Sequence, residues 1–250
     1  MNSDSLGLFS RGVLQHSELG VTMDFDFSPI FNKYEVLVKA VEAVFARVKS
    51  DFPGCVKCKT GCSDCCHALF DLTLIEALYI NHRFNQGIDE AKKAEIIEKA
   101  NRADRKIYKI KRNAYKAALA GTQEEEILNA VAKERVRCPL LNSQDTCDLY
   151  EHRPITCRLY GVPTAIKGKS HTCGLSGFNE GKAYPTANMD ALHRKLYELS
   201  VELIGAIRSK HIKMADMLVP LSMALLTDFD ETYLGALEAK PSDREEEESP

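Results

Sequence analysis

The sequence predicts a mostly α-helical chain folded around a cysteine-rich, irregular metal-binding core, with one long charged helix or helical hairpin. Three observations predict it. Apolar residues recur at steps of three and four through most of the chain. Five of the nine cysteines fall within residues 55–66, and the other four follow at Cys138, Cys147, Cys157 and Cys173. Around the later cysteines, Pro139, Pro154, Gly161, Pro163 and Gly168 break the helical period into loop and turns. No internal repeat and no strand pattern stands out.

In chain order, residues 1–27 lack a strong period and read as a loose N-terminal arm. Ser28 as N-cap and Pro29 as first helical residue then open a helix that ends near Asp51, before Pro53-Gly54. Phe31, Tyr34, Val38, Val41, Phe45 and Val48 form its apolar stripe. A capping box at Thr73 and Glu76 starts a second helix, which Gly87 stops. From about Asp89 to about Ala118 a long helix carries a seam of Ile96, Ala100, Ala103, Ile107, Ile110 and Ala114. Its second half is basic, and the nearby Glu124, Glu125 and Glu126 are expected to neutralise it. Thr122 and Glu125 resemble another capping box, leading a helix to about Arg135, so residues 89–135 form a charged arm. After a glycine-containing linker, Gly174 to Tyr184, Asn188 caps a helix with Leu192, Leu196, Leu199, Leu203 and Ile207 inward. Met214 to Leu237 adds a last helical pair or one bent helix, with Pro220 as the bend or boundary. Residues 28–237 are thus expected as a single domain, and the acidic tail 238–250 as disordered.

Composition narrows the function classes. The hydrophobic share of 44% and charged share of 28% are those of an ordinary globular protein, and a net charge of −3 argues against bulk polyanion binding. Met1 to Gly20 hold no sustained apolar core of a secretory signal. The longest apolar stretch, Met217 to Leu226, is interrupted by Pro220 and Ser222 and falls far short of the roughly 20 residues of a spanning helix. The expected location is the cytoplasm, with no membrane contact. In that reducing compartment an odd number of clustered cysteines points to metal, not disulfides.

Cys55, Cys58, Cys62, Cys65, Cys66, Cys138, Cys147, Cys157 and Cys173 are therefore the candidate metal ligands, with segments 55–66 and 138–173 as two halves of one core. Cys55/Cys58 and Cys62/Cys65 are C-x2-C pairs that suit tetrahedral zinc, and a [4Fe–4S] cluster takes the same four thiolates. The excess of thiols over one tetrahedral set favours iron–sulfur. Adjacent Cys65 and Cys66 are expected to diverge and serve neighbouring sites, or to leave one free thiol. His67 reads as packed or supporting, not ligating. Arg153 and Arg158 flank Cys157 and can offset the negative charge of a thiolate centre, with Glu151 as a partner. Tyr150 and Tyr160 read as packed.

The string Cys58-x3-Cys62-x2-Cys65-Cys66, followed by Cys138-Pro139-Leu140-Leu141 and by Cys147-x2-Tyr150-Glu151-x-Arg153-Pro154-x2-Cys157-Arg158-x-Tyr160, resembles the bacterial CxxCxxCC, or YkgJ-type, cysteine-cluster family. The resemblance covers about Cys55 to Cys173. It implies a zinc- or iron-chelating domain, similar at a distance to flagellin lysine N-methylases, which carry an iron–sulfur cluster and use S-adenosylmethionine. One spacing departs from the family string, since three residues separate Cys58 from Cys62, which leaves Cys55 and Cys58 as alternatives for that position. No glycine-rich strand–loop–helix for S-adenosylmethionine is visible, and no catalytic residue can be named.

The expected function is a metal-binding cysteine-cluster protein acting in redox chemistry or modification of another protein. A structural zinc module that docks a protein partner, and an S-adenosylmethionine-dependent lysine methylase, are the alternatives. The basic face of the long helix reads as solvated, not as a nucleic-acid surface.

Overall fold

A computed structural model describes residues 25–236. Most of the loose arm 1–27 and all of the acidic tail 238–250 lie outside the described residues. Phe25 and Phe27 do not behave as an arm: their rings meet at 4.9 Å, and Phe27 stacks on Phe31 at 5.7 Å.

Helix α1 (Ser28–Asp51) buries Ile30, Phe31, Tyr34, Val38, Val41 and Val48, as its spacing predicts, and leaves Phe45 half-buried. Its start differs by one residue from expectation. Ser28 is already helical, because the Asp26 carboxylate accepts the Ser28 N–H at 2.8 Å and takes over the capping task.

Helix α2 (Leu74–Gly87) is the central element. It is buried on nearly all sides, with Leu74, Ile75, Ala77, Leu78, Ile80 and Phe84 among its covered residues. A helix enclosed in this way must satisfy its ends internally. Ser200 Oγ accepts the Ile75 N–H at 3.2 Å, and Glu76 accepts the Thr73 N–H at 3.3 Å and hydroxyl at 3.1 Å. Asn81 Nδ2 in turn donates to the carbonyls of Ala224 at 2.9 Å and Thr227 at 3.0 Å, closing the end of helix α7 (Leu221–Leu226).

Helix α3 (Glu90–Leu119) starts at Asp89, whose side chain accepts the Lys92 N–H. Its seam is buried only at Ile96, Ala100 and Ala103; from Ile107 onward it is half-buried or exposed. Gly121, at φ 84°, turns the chain into α4 (Glu124–Ala132). The Thr122 capping box does not form: the Thr122 N–H joins the Ala117 carbonyl, and Gln123 precedes the helix without a side-chain cap. Nor do the α4 acids face the basic half of α3. Glu124 and Glu125 pair with Lys167 and Lys169, while Lys111 of α3 pairs with Asp71 at 2.7 Å.

Short strands appear where none was expected. Strand β1 (Asp71–Thr73) pairs antiparallel with β5 (Leu218–Pro220), Leu72 opposite Val219. Strands β2 (Thr164–Ile166) and β3 (Lys169–His171) form a hairpin, and β4 (Ala187–Asn188) pairs parallel with β2. Lys167 and Gly168, both at positive φ, make its two-residue turn. Strands of two or three residues are too short to show a period of two. Asn188 then caps α6 (Met189–Ala206) by accepting the Ala191 N–H, as expected. The segment after it is not one bent helix: Pro220 is a boundary, and the two helices beyond it are short. Pro220 ends β5, α7 follows at once, and α8 (Glu231–Leu234) is a single turn. Among the described residues no helix is long and apolar enough to cross a membrane.

Helices α1, α2 and α6 and helix α5 (Ile155–Leu159) share one buried cluster, in which Tyr34, Leu74, Ile155 and Leu203 are fully covered. Glu76 is the exception within it. Its carboxylate is buried, touches three neutral donors (the third being the Ile155 N–H at 3.0 Å), and burial pushes its pKa up. A raised folded pKa means the fold holds this proton more tightly than the unfolded chain does. Its contribution is present at low pH and is lost as pH rises from the ordinary carboxylate range through the folded value. Glu76→Gln should remove that slope from urea unfolding measured between weakly acidic and neutral pH. It should also cost about 1–3 kcal/mol, because an amide N–H then faces a backbone N–H.

Candidate metal centre

The first cysteine segment leaves α1 through tight turns. The Cys55 N–H joins the Phe52 carbonyl at 2.9 Å, and the Cys62 N–H joins the Lys59 carbonyl at 3.0 Å, with Gly61 at φ 78° supplying the turn. A single 3-10 turn, Asp64–His67, then presents Cys65 and Cys66. Contrary to expectation, these neighbours do not diverge. Their sulfurs lie 4.0 Å apart and both line one cavity. A tetrahedron of thiolates around zinc has an edge of about 3.8 Å for bonds of about 2.3 Å, so this pair suits one centre.

The second segment is clamped directly to the first. The Cys138 N–H donates to the Cys66 carbonyl at 2.7 Å, and the Val136 N–H to the His67 carbonyl at 3.1 Å. Cys147 returns through a bridge to Leu141, in a loop organised by Asn142. Its Oδ1 accepts the N–H groups of Gln144 and Thr146, and its Nδ2 donates to Thr146 Oγ1 and Asp148 Oδ1, all at 2.8–3.1 Å. Cys157 comes from α5, whose first N–H is the one held by Glu76.

Five thiols, those of Cys65, Cys66, Cys138, Cys147 and Cys157, therefore line one cavity of about 60 Å³, with His152 and Arg153 in its wall. That volume is several times what one water needs. Leu140, Leu149 and Ile80 supply apolar wall, so the sulfurs sit in a medium that disfavours charge. Burial pushes Cys138 up to about 12 and Cys157 well above the usual thiol value, and Cys147 also rises. The Cys65–Cys66 pair shares a proton: their mutual hydrogen bond lowers Cys65 to about 7 and raises Cys66. Arg153 favours the thiolate forms of Cys65, Cys147 and Cys157. Only a cation stabilises several thiolates in such a place, which is the chemistry of a soft-metal site. Among the described residues no group of three or more Cys, His, Asp or Glu side chains stands in metal-holding geometry. The sulfurs surround the cavity without closing to bonding distance. The donor set fits a thiolate-preferring metal; its shell is gathered, not contracted.

Three further cysteines stand beside this group. Cys58 is raised to about 11, first by burial and then by the charges of Cys62 and Cys173. Cys173 approaches Asp64 Oδ2 at 3.6 Å. Cys55 stays apart, with its carbonyl accepting the Gly177 N–H at 2.8 Å. That contact, with Phe178 and Tyr184 packed around Phe52, fastens the 174–184 linker to the start of the cysteine segment. Gly161 abuts Cys58: a Cβ there would land on the Cys58 sulfur. Gly161→Ala should displace that sulfur and lower stability by about 1–3 kcal/mol. In a Cys58→Ala background the same change should cost almost nothing, a coupling that thermal unfolding of the four proteins would read.

The two arginines divide their work. Arg153 faces the thiols in charge, and its guanidinium lies 3.7 Å from the centre of the exposed Tyr150 ring. Arg158 does not pair with the Glu151 carboxylate. It is buried, donates to the carbonyl oxygens of Glu151 and Arg153, and pairs with Glu42 of α1. Tyr150 is thus stacked at the surface, while Tyr160 is half-buried beside Arg135 and Asp64. His67 is supporting, its Nδ1 3.0 Å from the Ser63 carbonyl.

Sequence reasoning missed His152, which lies in the wall of the thiol cavity, and Tyr34, whose buried hydroxyl makes no hydrogen bond among the described residues and senses the Cys157 charge. His152 sits inside the Tyr150–Tyr160 string but in a position that the string leaves open. Tyr34 looked like any stripe residue.

Residues 57–174 match the CxxCxxCC family, described as a "putative zinc- or iron-chelating domain". No curated protein and no solved structure matches the chain. The match takes in Cys58 and every later cysteine, while Cys55 lies outside it. That segment carries all five thiols of the cavity, and over it the chain is similar to the CxxCxxCC zinc- or iron-chelating domain; Leu221 and Ser222, from beyond it, complete the cavity wall.

Proposed function

We propose that this protein holds an iron–sulfur centre in the cavity formed by Cys65, Cys66, Cys138, Cys147 and Cys157, and uses it in redox chemistry or in modification of another protein. The observation that carries the proposal is the convergence of five thiols on one cavity, enough to supply the four thiolates of a [4Fe–4S] cluster with one to spare. A [4Fe–4S] cluster, when bound, would supply reversible one-electron transfer. The chain's own residues set the conditions around it. Leu140 and Leu149 keep the wall apolar, Arg153 offsets the negative charge of the thiolates, and the Cys138 N–H bond to Cys66 fixes the two halves against each other.

A second cavity, of about 760 Å³, favours a role on a bound substrate. It shares the segment Ala68–Phe70 with the thiol cavity, and Tyr160, His171, His193 and Asp216 contribute polar groups. That volume falls in the range of small-molecule sites. It is the observation that keeps S-adenosylmethionine-dependent lysine methylation in view, with the substrate a protein and not nucleic acid or a membrane. The reading requires a reducing compartment, the cytoplasm, to keep nine thiols available.

Metal and acid-labile sulfide analysis of anaerobically purified protein, with its visible spectrum, tests the proposal. Iron, sulfide and a broad visible band support it. A colourless protein with stoichiometric zinc under the same conditions replaces it with the structural zinc module, in which the helical arm docks a partner.

A further inference from the structure

Among the side chains lining the thiol cavity, His152 alone carries a nitrogen with a lone pair for a metal, and its protonation is fixed by a chain of hydrogen bonds leading away from the cavity. Arg83 donates to Glu35 Oε1 at 2.8 Å, so Glu35 is held as a carboxylate, which only accepts. The Tyr79 hydroxyl lies 2.8 Å from the same oxygen and must spend its single proton there. Tyr79 Oη also lies 3.1 Å from His152 Nδ1. With its proton committed, the phenol can only accept from that nitrogen, so Nδ1 carries the hydrogen. In the neutral ring the lone pair is then on Nε2. Tyr79 is not part of the cavity wall, whereas His152 is, so the Nδ1 edge points away from the thiols.

Building on the metal-centre reading above, we propose that His152 is a nitrogen ligand to the thiol-lined centre through Nε2, with Tyr79 and Glu35 as positioning residues. The arrangement is the one by which metal-bound histidines are usually held: the remote ring N–H donates to a partner that fixes tautomer and orientation. It also bears on specificity. A mixed sulfur–nitrogen shell suits zinc and iron, and replacing thiolate by imidazole raises the reduction potential of an iron–sulfur centre. Imidazole binds without losing a proton, which each buried thiol must do. Tyr79 ties this ligand to α2, the best-covered helix of the fold, and Glu35 ties it to α1.

The test is long-range proton–nitrogen correlation on protein labelled with nitrogen-15 in its histidines, before and after addition of Zn²⁺, with Zn²⁺ uptake measured separately by competition against a chromogenic chelator. His152→Gln assigns the signal. The expected result is an Nδ1–H tautomer in the metal-free protein and a shift of the Nε2 resonance in step with Zn²⁺ uptake. Tyr79→Phe, which keeps the ring and its packing, should lower Zn²⁺ affinity by about 10–100-fold and mix the tautomers. An Nε2–H tautomer in the wild-type protein overturns the proposal whatever Zn²⁺ does. So does Zn²⁺ uptake with the Nε2 resonance unmoved, while leaving the thiol centre standing. Failure to take up Zn²⁺ at all ends the ligand assignment, and the iron and sulfide analysis above then decides the metal-centre reading by itself.

Discussion

Cys157→Ser and Cys138→Ser should each remove most of the bound metal and leave residues 136–157 locally unfolded while the helical core persists. The expectation follows from what holds this segment. It contains the Asn142 turn, one isolated bridge to Cys147, one 3-10 turn and the five-residue helix α5, none of which is stable in isolation. Its polar links to the rest are few: the two backbone bonds at Val136 and Cys138, the Glu76 bond to Ile155, the His152–Tyr79 contact, the Lys92–Asp148 pair and the Arg158 contacts; Leu140, Leu149 and Ile155 add the apolar anchors. Structural zinc contributes about 10–16 kcal/mol in small metal-folded domains, as much as the whole stability of an ordinary domain. Metal would therefore contribute most of the stability of this stretch, and little to that of α2 and α6, which are held by burial. Hydrogen exchange after chelation should show full loss of protection over 55–66 and 136–157 and retained protection in 74–87 and 189–206. Uniform retention throughout would show that the segment folds without metal.

Arg158→Met should be the most damaging single change outside the cysteines, by about 2–4 kcal/mol. The guanidinium is buried and spends its donors on three acceptors in two segments: the Arg153 carbonyl at 2.7 Å, the Glu151 carbonyl and the Glu42 carboxylate. Glu42 is half exposed, so little of the effect comes from the ion pair itself. The larger part comes from two carbonyl oxygens that lose charge-assisted donors beneath α1. Lysine keeps the charge but cannot fork, and Arg158→Lys should recover less than half of the loss. Equilibrium urea unfolding of the three proteins measures this directly.

How far the chain could be read in advance depended on the range of the interactions. The α1 stripe, the Asn188 cap and the Thr73–Glu76 pairing are local patterns of three to four residues, and each forms. The Thr122–Glu125 pattern looked equally good and fails, because α4 turns its acids outward to Lys167 and Lys169 of a hairpin more than forty residues away. The metal site shows the same division. Its cysteines were legible from composition, and both halves do converge. The side-by-side placement of Cys65 and Cys66 was not, since sequence adjacency alone does not say whether two neighbouring sulfurs turn to one cavity. Arg158 was visible as a charge near Cys157, but its partner Glu42 lies on α1, beyond any motif. His152 was hidden for a related reason: its role depends on Tyr79 and Glu35, and a lone histidine in a loop carries no signal by itself.

The most direct test of a single thiol-lined metal centre is X-ray absorption at the metal edge of the protein as purified, compared with the Cys65→Ser/Cys138→Ser/Cys157→Ser variant. The account predicts a sulfur-dominated shell with bonds of about 2.3 Å in the first, and loss of bound metal in the second. A shell of oxygen and nitrogen donors in the wild-type protein, or an unchanged sulfur shell in the variant, would contradict it.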